Sequence, residues 1–240
     1  IEEKLALERK MYENEKLSSL GRLSTSVAHE VKNPLSSIKA IVQVMREDIK
    51  KNDPLQEDLT IIIDEIDRLT KVVNQLLQFA KPGSEVKTSV RIGAVIHSTL
   101  VVLNHEAKQN KITTFCQIPN DLPEIAADEG ALKEVFFNLL RNAIQAMPSG
   151  GEIHINAHYQ PSSHAIQITV TDTGTGIAQG SFQKTFEPFY TTKQTGTGLG
   201  LSIVKKKLED MEATIHAESN GHGASFVINF PLPEPLLVQT

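Results

Sequence analysis

Apolar residues alternate at spacings of four and three between positions 55 and 76 of the chain. They are Leu55, Leu59, Ile62, Ile66, Leu69, Val73 and Leu76. A heptad seam of this length predicts a long helix that buries one stripe against other helices. Asp53 and Pro54 directly precede the seam and are expected to be the N-cap and the first helical residue. This part of the chain is therefore constrained to a helical bundle.

A second apolar stripe lies upstream and recurs every three or four residues. It consists of Leu20, Leu23, Val27, Val31, Leu35, Ile38, Ile41 and Met45. Two helices joined by a short turn cannot bury both stripes alone, so we expect two hairpins to form a dimeric four-helix bundle. A monomer whose seam is covered by a second domain is the alternative. Residues 1–16, rich in Glu and Lys, are predicted as a charged helix leading into a coiled coil, or as a solvated helical tail.

His29 lies in the helix of this second stripe but off its apolar face, with Glu30 beside it and Asn33 one turn later. The unprotonated nitrogen of an imidazole is a good nucleophile at neutral pH, so an exposed His29 is equipped to accept a phosphoryl group. Glu30 is a potential general base, and the Asn33 carboxamide is suited to orient a water molecule for hydrolysis. The alternative is an exposed histidine without a role. The zinc motif H-E-x-x-H is excluded, because Asn33 stands where that motif needs its second histidine.

The composition excludes several classes of protein. The chain has 24 Lys and Arg against 29 Asp and Glu, and its net charge of -5 gives no footprint for nucleic acid. The single cysteine, Cys116, excludes an internal disulfide and fits a reducing compartment. No run approaches the ~18 apolar residues of a membrane span. Because the sequence starts within a helical pattern, we expect a fragment of a longer protein. We expect this fragment to be cytoplasmic, and attachment of the full-length protein to a membrane stays open.

The pattern changes after Lys81-Pro82-Gly83-Ser84, which is typical of a linker. The remainder predicts helices over 92–109, 128–147 and 199–211, and strands over 111–118, near 125, and over 152–159, 165–171, 213–218 and 224–230. The last two strands are expected to form a hairpin around Asn220-Gly221. The predicted fold class is α+β, an antiparallel helical hairpin followed by an α/β sandwich in which helices cover one sheet.

Two asparagines, Asn138 and Asn142, stand one turn apart in the helix predicted over 128–147. Asn is a poor helix former, so two of them on one face of a helix indicate a role other than helix formation. Oxygen ligands for Mg²⁺ or hydrogen bonds to phosphates would supply one. The alternative is a solvated polar face.

Asp172 ends an apolar strand and is followed by Thr173-Gly174-Thr175-Gly176-Ile177. A carboxylate at this place can accept a hydrogen bond from the amino group of adenine, and the glycines let the backbone pass close to a ring. Asp-Thr-Gly also occurs in aspartic proteases, whose chemistry needs two carboxylates sharing a proton. The chain has no second such triplet, so a protease would require a dimer axis at Asp172.

The glycine-rich stretch Gly196-Thr197-Gly198-Leu199-Gly200 opens the helix predicted over 199–211. Free N–H groups and the helix dipole favour phosphate there. The stretch is not a Walker A loop, because no Lys-Ser or Lys-Thr follows in frame, and it is not a Rossmann turn, because its third glycine comes too early. The polar residues between Ile177 and Thr197 suit a mobile lid over a nucleotide.

Five stretches in this order resemble the sensor histidine kinases of two-component signalling. The H, N, first G, F and second G boxes correspond to Ser26–Leu35, Asn138–Met147, Asp172–Ile177, Phe186–Lys193 and Gly196–Ile203. The resemblance covers about residues 17–231, and its N and F boxes look most like the nitrogen-regulator branch. It implies a signalling helix over 1–16, a dimerisation and histidine phosphotransfer domain over 17–82, a linker over 83–86, and a catalytic ATP-binding domain over 87–234. The catalytic domain would have the sandwich fold shared with gyrase and heat-shock chaperones.

The same resemblance implies roles for individual residues. His29 would take a phosphoryl group from ATP and pass it to an aspartate of a response regulator. Asn142 would coordinate Mg²⁺, and Asn138 would support the phosphates and is a possible second metal ligand. Asp172 would recognise adenine. The other implied nucleotide-site residues are Arg141, Gly174, Gly176, Ile177, Thr192, Lys193, Gly196, Thr197, Gly198, Leu199 and Gly200.

Two positions depart from the family pattern. Many members carry Asn at the position of Thr173, which is expected to tune nucleotide contacts. Many carry a basic residue at the position of Gln145, so the contact with phosphate that a basic residue would make is not expected of Gln145. The arrangement of Glu30 and Asn33 further predicts phosphatase activity toward the phosphorylated regulator.

Overall fold

The computed structural model describes residues 30–50, 53–80, 87–193, 196–219 and 221–232. The chain divides into two compact units, Ile1–Pro82 and Gly83–Thr240. The predicted tail over 1–16, His29, and the predicted linker lie outside the described residues. Within the described ranges, no helix combines the length and apolarity needed to cross a membrane.

The first unit contains two helices, α1, which includes residues 30–48, and α2, Leu55–Ala80. The carboxylate of Asp53 accepts a hydrogen bond from the Leu55 N–H at 3.0 Å, which confirms the predicted cap. Gln56 Nε2 donates to the carbonyl oxygens of Arg46 and Ile49 at 2.7 and 2.9 Å and thereby satisfies acceptors at the end of α1. Lys39 Nζ, 2.7 Å from Asp67 Oδ2, adds an ion pair between the helices.

The heptad seam of α2 divides into two sets of residues. Leu59 and Ile66 of the seam are at most 7% exposed, as is Ile63, which lies outside the seam, and Leu59 and Ile63 pack against Val42 of α1. Leu55, Ile62 and Leu69, spaced by seven, remain 52, 42 and 44% exposed in the single chain. On α1 the same spacing of seven leaves another exposed set, Val31, Ile38 and Met45. One half of the pattern therefore closes the hairpin, and the other half is left without cover within the described residues.

The second unit is built on a five-stranded sheet with the order β2-β4-β5-β7-β6. The strands are β1 Thr88–Val90, β2 Ile112–Gln117, β3 Ile125–Ala127, β4 Gly151–Gln160, β5 Ala165–Asp172, β6 Thr214–Glu218 and β7 Ser225–Pro231. The helices are α3 Ile92–Gln109, α4 Glu129–Gln145 and α5 Gly200–Asp210, with a short 3-10 helix at Lys184–Phe186. β2 pairs parallel with β4, and the other pairs in this sheet are antiparallel.

Alternating side chains of the central strands join the three helices in one apolar core. Ile153 and Ile155 of β4 and Ile166 and Ile168 of β5 are at most 1% exposed and belong to the same cluster as Phe136 of α4. The opposite face of these strands carries polar residues, so the sheet is covered on one side only. This arrangement confirms the predicted α+β class and the sandwich.

The structure confirms the predicted hairpin of the last two strands. β6 and β7 pair antiparallel with Glu218 opposite Ser225, and the six residues 219–224 join them. The small sheet of β1 and β3 was not predicted as a pair, because three residues are too few to show a period.

Glu212, just after α5, has a φ of +62°. Because left-handed backbone is unfavourable for a residue with a Cβ, Glu212→Gly is expected to raise the Tm of the second unit by about 3 °C. The exposed ion pair between Lys87 Nζ and Glu212 Oε1, at 2.8 Å, is lost in this variant but contributes little. Calorimetry checks the shift, and Lys87→Met removes the ion pair alone. A lower Tm for Glu212→Gly than for Lys87→Met would contradict the argument.

Candidate nucleotide site

The C-terminal half of α4 carries Asn138 and Asn142, both half-buried. Asn138 Nδ2 donates to the carbonyl oxygen of Glu134 at 2.9 Å, which leaves Oδ1 able to accept or to bind a cation. A Cβ built on Gly200 would lie 3.5 Å from Asn138 Oδ1 and 3.7 Å from Asn142 Nδ2. The structure therefore brings both amides against the first residue of α5, with no side chain between them.

Among the described residues, none caps the N-terminus of α5 with its side chain. Leu199 occupies the N-cap position and is fully buried, so it offers no oxygen to the N–H groups of the first turn. Those groups and the helix dipole are therefore available for an anion beside the two asparagines.

Asp172, the last residue of β5, is 3% exposed. Its Oδ1 accepts hydrogen bonds from the backbone N–H groups of Gly174 at 2.8 Å and Ala224 at 3.3 Å. Burial raises the pKa of this carboxyl, and the two amides and the charge of Lys193 oppose that shift. Because both backbone donors use Oδ1, Oδ2 remains as an acceptor for a ligand.

The turn after Asp172 is held tightly against the end of α4. A Cβ on Gly174 would lie 2.6 Å from the Ala146 carbonyl oxygen, so a side chain has no room there. The Thr173 hydroxyl accepts from the Glu152 N–H at 3.0 Å and thus faces the start of β4. Gly176 has a φ of +72°, which favours glycine.

The predicted lid contacts the glycine-rich stretch that follows it. Phe189 N–H donates to the Gly198 carbonyl oxygen at 3.0 Å. Gly198 has a φ of +68°, and a Cβ on it would lie 2.3 Å from the Phe189 carbonyl carbon. Thr197 Oγ1 accepts from the Leu199 N–H at 3.4 Å, while a Cβ on Gly196 would meet the Thr191 hydroxyl. These glycines permit the close approach of backbone that joins the lid to α5.

Lys193 is half-buried, and its Nζ donates to Gln145 Oε1 at 3.0 Å. Burial lowers the pKa of Lys193, the charge of Asp172 raises it, and the charge of Arg141 lowers it. The cation thus lies on the side of the site formed by the end of α4, while Thr192 beside it is exposed.

Arg141 is directed toward α3. Its Nε lies 3.6 Å from Glu106 Oε1, and its guanidinium lies 6.0 Å from the centre of the Phe137 ring. A part in nucleotide binding for Arg141 therefore stays a prediction.

In the first unit, Glu30 and Asn33 are exposed on α1, and the Ser37 hydroxyl donates to the Asn33 carbonyl oxygen at 3.2 Å. His29, which directly precedes Glu30 in the sequence, lies outside the described part of the chain. The roles assigned to this triad stay predictions.

The connection between β6 and β7 is a part of the site that the sequence did not predict. Ala224 contributes a donor to Asp172, and a Cβ on Gly223 would lie 1.8 Å from the Asp172 carbonyl oxygen. Two glycines two residues apart, Gly221 and Gly223, were the available signal of a backbone that must pass close to another chain segment.

The donor set fits a magnesium nucleotide. Amide oxygens are hard ligands of the kind that Mg²⁺ accepts together with phosphate oxygens. The uncapped start of α5 supplies N–H groups beside those amides, and Gly200 has no side chain to fill the space. Asp172, at the start of the glycine turn, keeps one oxygen as an acceptor. The site therefore combines an acceptor for a base with donors for phosphate.

Comparison with known proteins gives the class of this fold. Residues 127–234 match the family model described as histidine kinase-, DNA gyrase B- and HSP90-like ATPase, and residues 19–85 match the His kinase A (phospho-acceptor) domain. The second unit is thus an ATPase sandwich of that class. The chain belongs to the sensor histidine kinases of two-component systems, as its sequence motifs predicted.

Individual relatives agree with this placement. The signal transduction histidine-protein kinase AtoS of Escherichia coli K12 is 37% identical over 94% of the chain, which spans 37% of AtoS. Full-length ShkA in complex with AMPPNP has a TM-score of 0.73 and 25% identity, with 88% of this chain and 45% of that chain covered. The histidine kinase ThkA in complex with the response regulator TrrA has a TM-score of 0.68 and 28% identity, with 95% and 66% covered.

Proposed function

We propose that this chain transfers the γ-phosphoryl group of ATP to His29 and then to an aspartate of a response-regulator protein. The observation that carries the proposal is the convergence of Asn138, Asn142 and the uncapped start of α5 in one site, with Asp172 on the adjoining turn. The complexes of ShkA with AMPPNP and of ThkA with TrrA support ATP and a response regulator as ligands.

Each end of the nucleotide has its own set of residues. Asp172 Oδ2 accepts a hydrogen bond from the amino group of adenine, and Gly174 and Gly176 let the ring lie against the backbone. The first-turn N–H groups of α5 bind phosphate oxygens, and Lys193 moves from Gln145 to the phosphates. Asn142, with Asn138 as a second ligand, would hold Mg²⁺. When bound, this ion neutralises the charge that develops on the phosphates.

Phosphoryl transfer forms an N–P bond at the imidazole of His29 and breaks the bond between the γ-phosphorus and its bridging oxygen, so that ADP leaves. Glu30 takes the imidazole proton as general base. The protein contributes mainly position and charge, because the loose transition state of phosphoryl transfer needs little covalent assistance.

The exposed heptad set supports a dimer. Leu55, Ile62 and Leu69 of α2 and Val31 and Ile38 of α1 form apolar stripes that a second hairpin would cover in a four-helix bundle. Sedimentation equilibrium tests this assembly. A monomer at micromolar concentration would contradict it.

The function is tested by incubating the chain with γ-labelled ATP and Mg²⁺. We expect label on the protein that is lost in acid and retained in alkali, as for a phosphoramidate, and no label after Mg²⁺ is chelated. Release of phosphate without labelled protein would instead indicate an ATPase that lacks phosphohistidine chemistry. A chain that binds no nucleotide would be a dimeric scaffold.

Asn33→Ala is expected to slow dephosphorylation of the phosphorylated regulator by about tenfold or more and to leave labelling of the kinase within about twofold. The exposed carboxamide is proposed to align the water that attacks the acyl phosphate, and this step is absent from the forward transfer. Rates of both reactions are measured on one preparation. Ser37→Ala, one turn further along the same exposed surface, is the matched control, and an equal loss of both activities in Asn33→Ala would refute the division of roles.

A further inference from the structure

In the connection between β6 and β7, the side chain of Ser219 contacts the glycine turn of the proposed adenine site. Its hydroxyl donates to the Gly223 carbonyl oxygen at 2.6 Å and accepts from the Ile177 N–H at 3.2 Å. The half-buried hydroxyl therefore joins the two ends of its own turn and fixes a backbone amide five residues after Asp172.

The contact with the glycine turn leaves little room for movement. A Cβ on Gly176 would lie 2.7 Å from Ser219 Oγ and 2.9 Å from the Gly223 carbonyl oxygen. Gly176 also has a positive φ, so the backbone of this turn can approach Ser219 only with glycine at that position.

The other end of the same connection holds the carboxylate. Ala224 N–H donates to Asp172 Oδ1 at 3.3 Å, and the Asp172 N–H donates to the Ala224 carbonyl oxygen at 2.9 Å. The connection thus contacts Asp172 at one end and Ile177 at the other, and the Ser219 hydroxyl closes the loop between these contacts.

We infer that Ser219 is a positioning residue for adenine: it fixes the turn from Gly174 to Ile177 relative to Asp172 and acts through the Ile177 amide. The inference rests on the proposed nucleotide-binding function. Because adenine binding precedes phosphoryl transfer and Ser219 lies on the adenine end of the site, its loss affects nucleotide affinity, and the rate from the saturated complex stays unchanged.

Ser219→Ala removes both hydrogen bonds and is expected to weaken ADP binding about tenfold. The KM for ATP in the labelling reaction rises by a similar factor at unchanged kcat. Amide hydrogen exchange at Ile177 becomes faster, which a purely local loss of stability in β7 would not produce. Isothermal titration with ADP and Mg²⁺, labelling kinetics and exchange measured by mass spectrometry provide the three readouts.

Ser225→Ala is the matched control, since it removes a hydroxyl from the same hairpin, 3.0 Å from Thr171 Oγ1, without touching the glycine turn. It is expected to bind ADP like the unaltered chain. If Ser219→Ala does not fold, Ser219→Thr and Ser219→Val are compared, because Thr and Val have the same shape and differ in the hydroxyl. Tight ADP binding is then expected for Ser219→Thr and not for Ser219→Val.

Equal affinity of Ser219→Ala and the unaltered chain, equal weakening by Ser225→Ala, or equal affinity of the Thr and Val variants would overturn the inference alone. An unaltered chain that binds no ADP would refute the proposed function and this inference with it.

Discussion

Replacing Asp172 by Ala is expected to weaken ADP binding about 100-fold and to abolish labelling by ATP, whereas His29→Gln is expected to abolish labelling alone. In the proposed site, Asp172 is the buried carboxylate at the adenine end, and its loss would remove a charged acceptor for adenine. It also leaves the N–H groups of Gly174 and Ala224 without their acceptor. A 100-fold loss corresponds to about 2.7 kcal/mol, within the range for a hydrogen bond to a charged group plus unsatisfied buried donors.

The measurements are isothermal titration with ADP and the labelling assay on the same preparations. Asp172→Asn is the matched control for folding, because its amide oxygen still accepts from Gly174 and Ala224 while its NH₂ opposes the adenine amino group. We expect Asp172→Asn to fold like the unaltered chain and to bind ADP as weakly as Asp172→Ala. Tight ADP binding by both variants would place the base elsewhere. Labelling that survives in His29→Gln would assign the phosphoryl acceptor to another residue.

Local signals in the sequence were sufficient for the long elements. The helix predicted over 92–109 is observed as Ile92–Gln109, and the N-cap at Asp53 forms the expected hydrogen bond. Such features depend on residues within one or two turns, so spacing and capping rules determine them. The heptad of α2 likewise predicted a helix, but spacing alone could not say that Leu59 packs within the hairpin while Ile62 stays exposed.

The site was predicted less completely because its groups are brought together by contacts across the sheet. Asp172 and Gly200 stood out, since a carboxylate ending a strand and glycines opening a helix are unusual locally. The partners of Asp172 did not, because Ala224 has no polar side chain and supplies only a backbone N–H. Ser219 was missed for a related reason: it is 42 residues from the amide that it contacts.

Charged residues show the same limit. Arg141 and Lys193 were both predicted to bind nucleotide from their positions in motifs. In the structure Arg141 contacts Glu106 of α3, and Lys193 contacts Gln145 at the end of α4. The direction of a long side chain depends on which neighbours the fold supplies, which a motif does not encode. At the departure from the family pattern, Gln145, the amide oxygen accepts a hydrogen bond from Lys193.

Gly223→Ala is expected to lower the free energy of unfolding of the second unit by at least about 4 kcal/mol, or to prevent its folding. The new Cβ would lie 1.8 Å from the Asp172 carbonyl oxygen and 3.0 Å from the Thr173 Cα, which are backbone atoms of a central strand and its turn. These atoms cannot yield without breaking the pairing of β5 with β7, whose register next to this point joins Thr171 and Ser225. The φ of +98° adds strain for any residue with a Cβ.

Gly221→Ala separates strain from collision, because Gly221 lies in the same connection with a φ of +89° and a Cβ there meets nothing within 4 Å among the described residues. Its loss of stability is expected to be about 1–2 kcal/mol, the ordinary penalty for left-handed backbone. Denaturant unfolding of both variants gives the difference, and ADP titration of any folded Gly223→Ala tests the coupling to Asp172. Since the collision displaces the peptide that carries Asp172, affinity must fall together with stability. Equal stabilities for the two variants would show that the β6 and β7 connection does not brace the carboxylate.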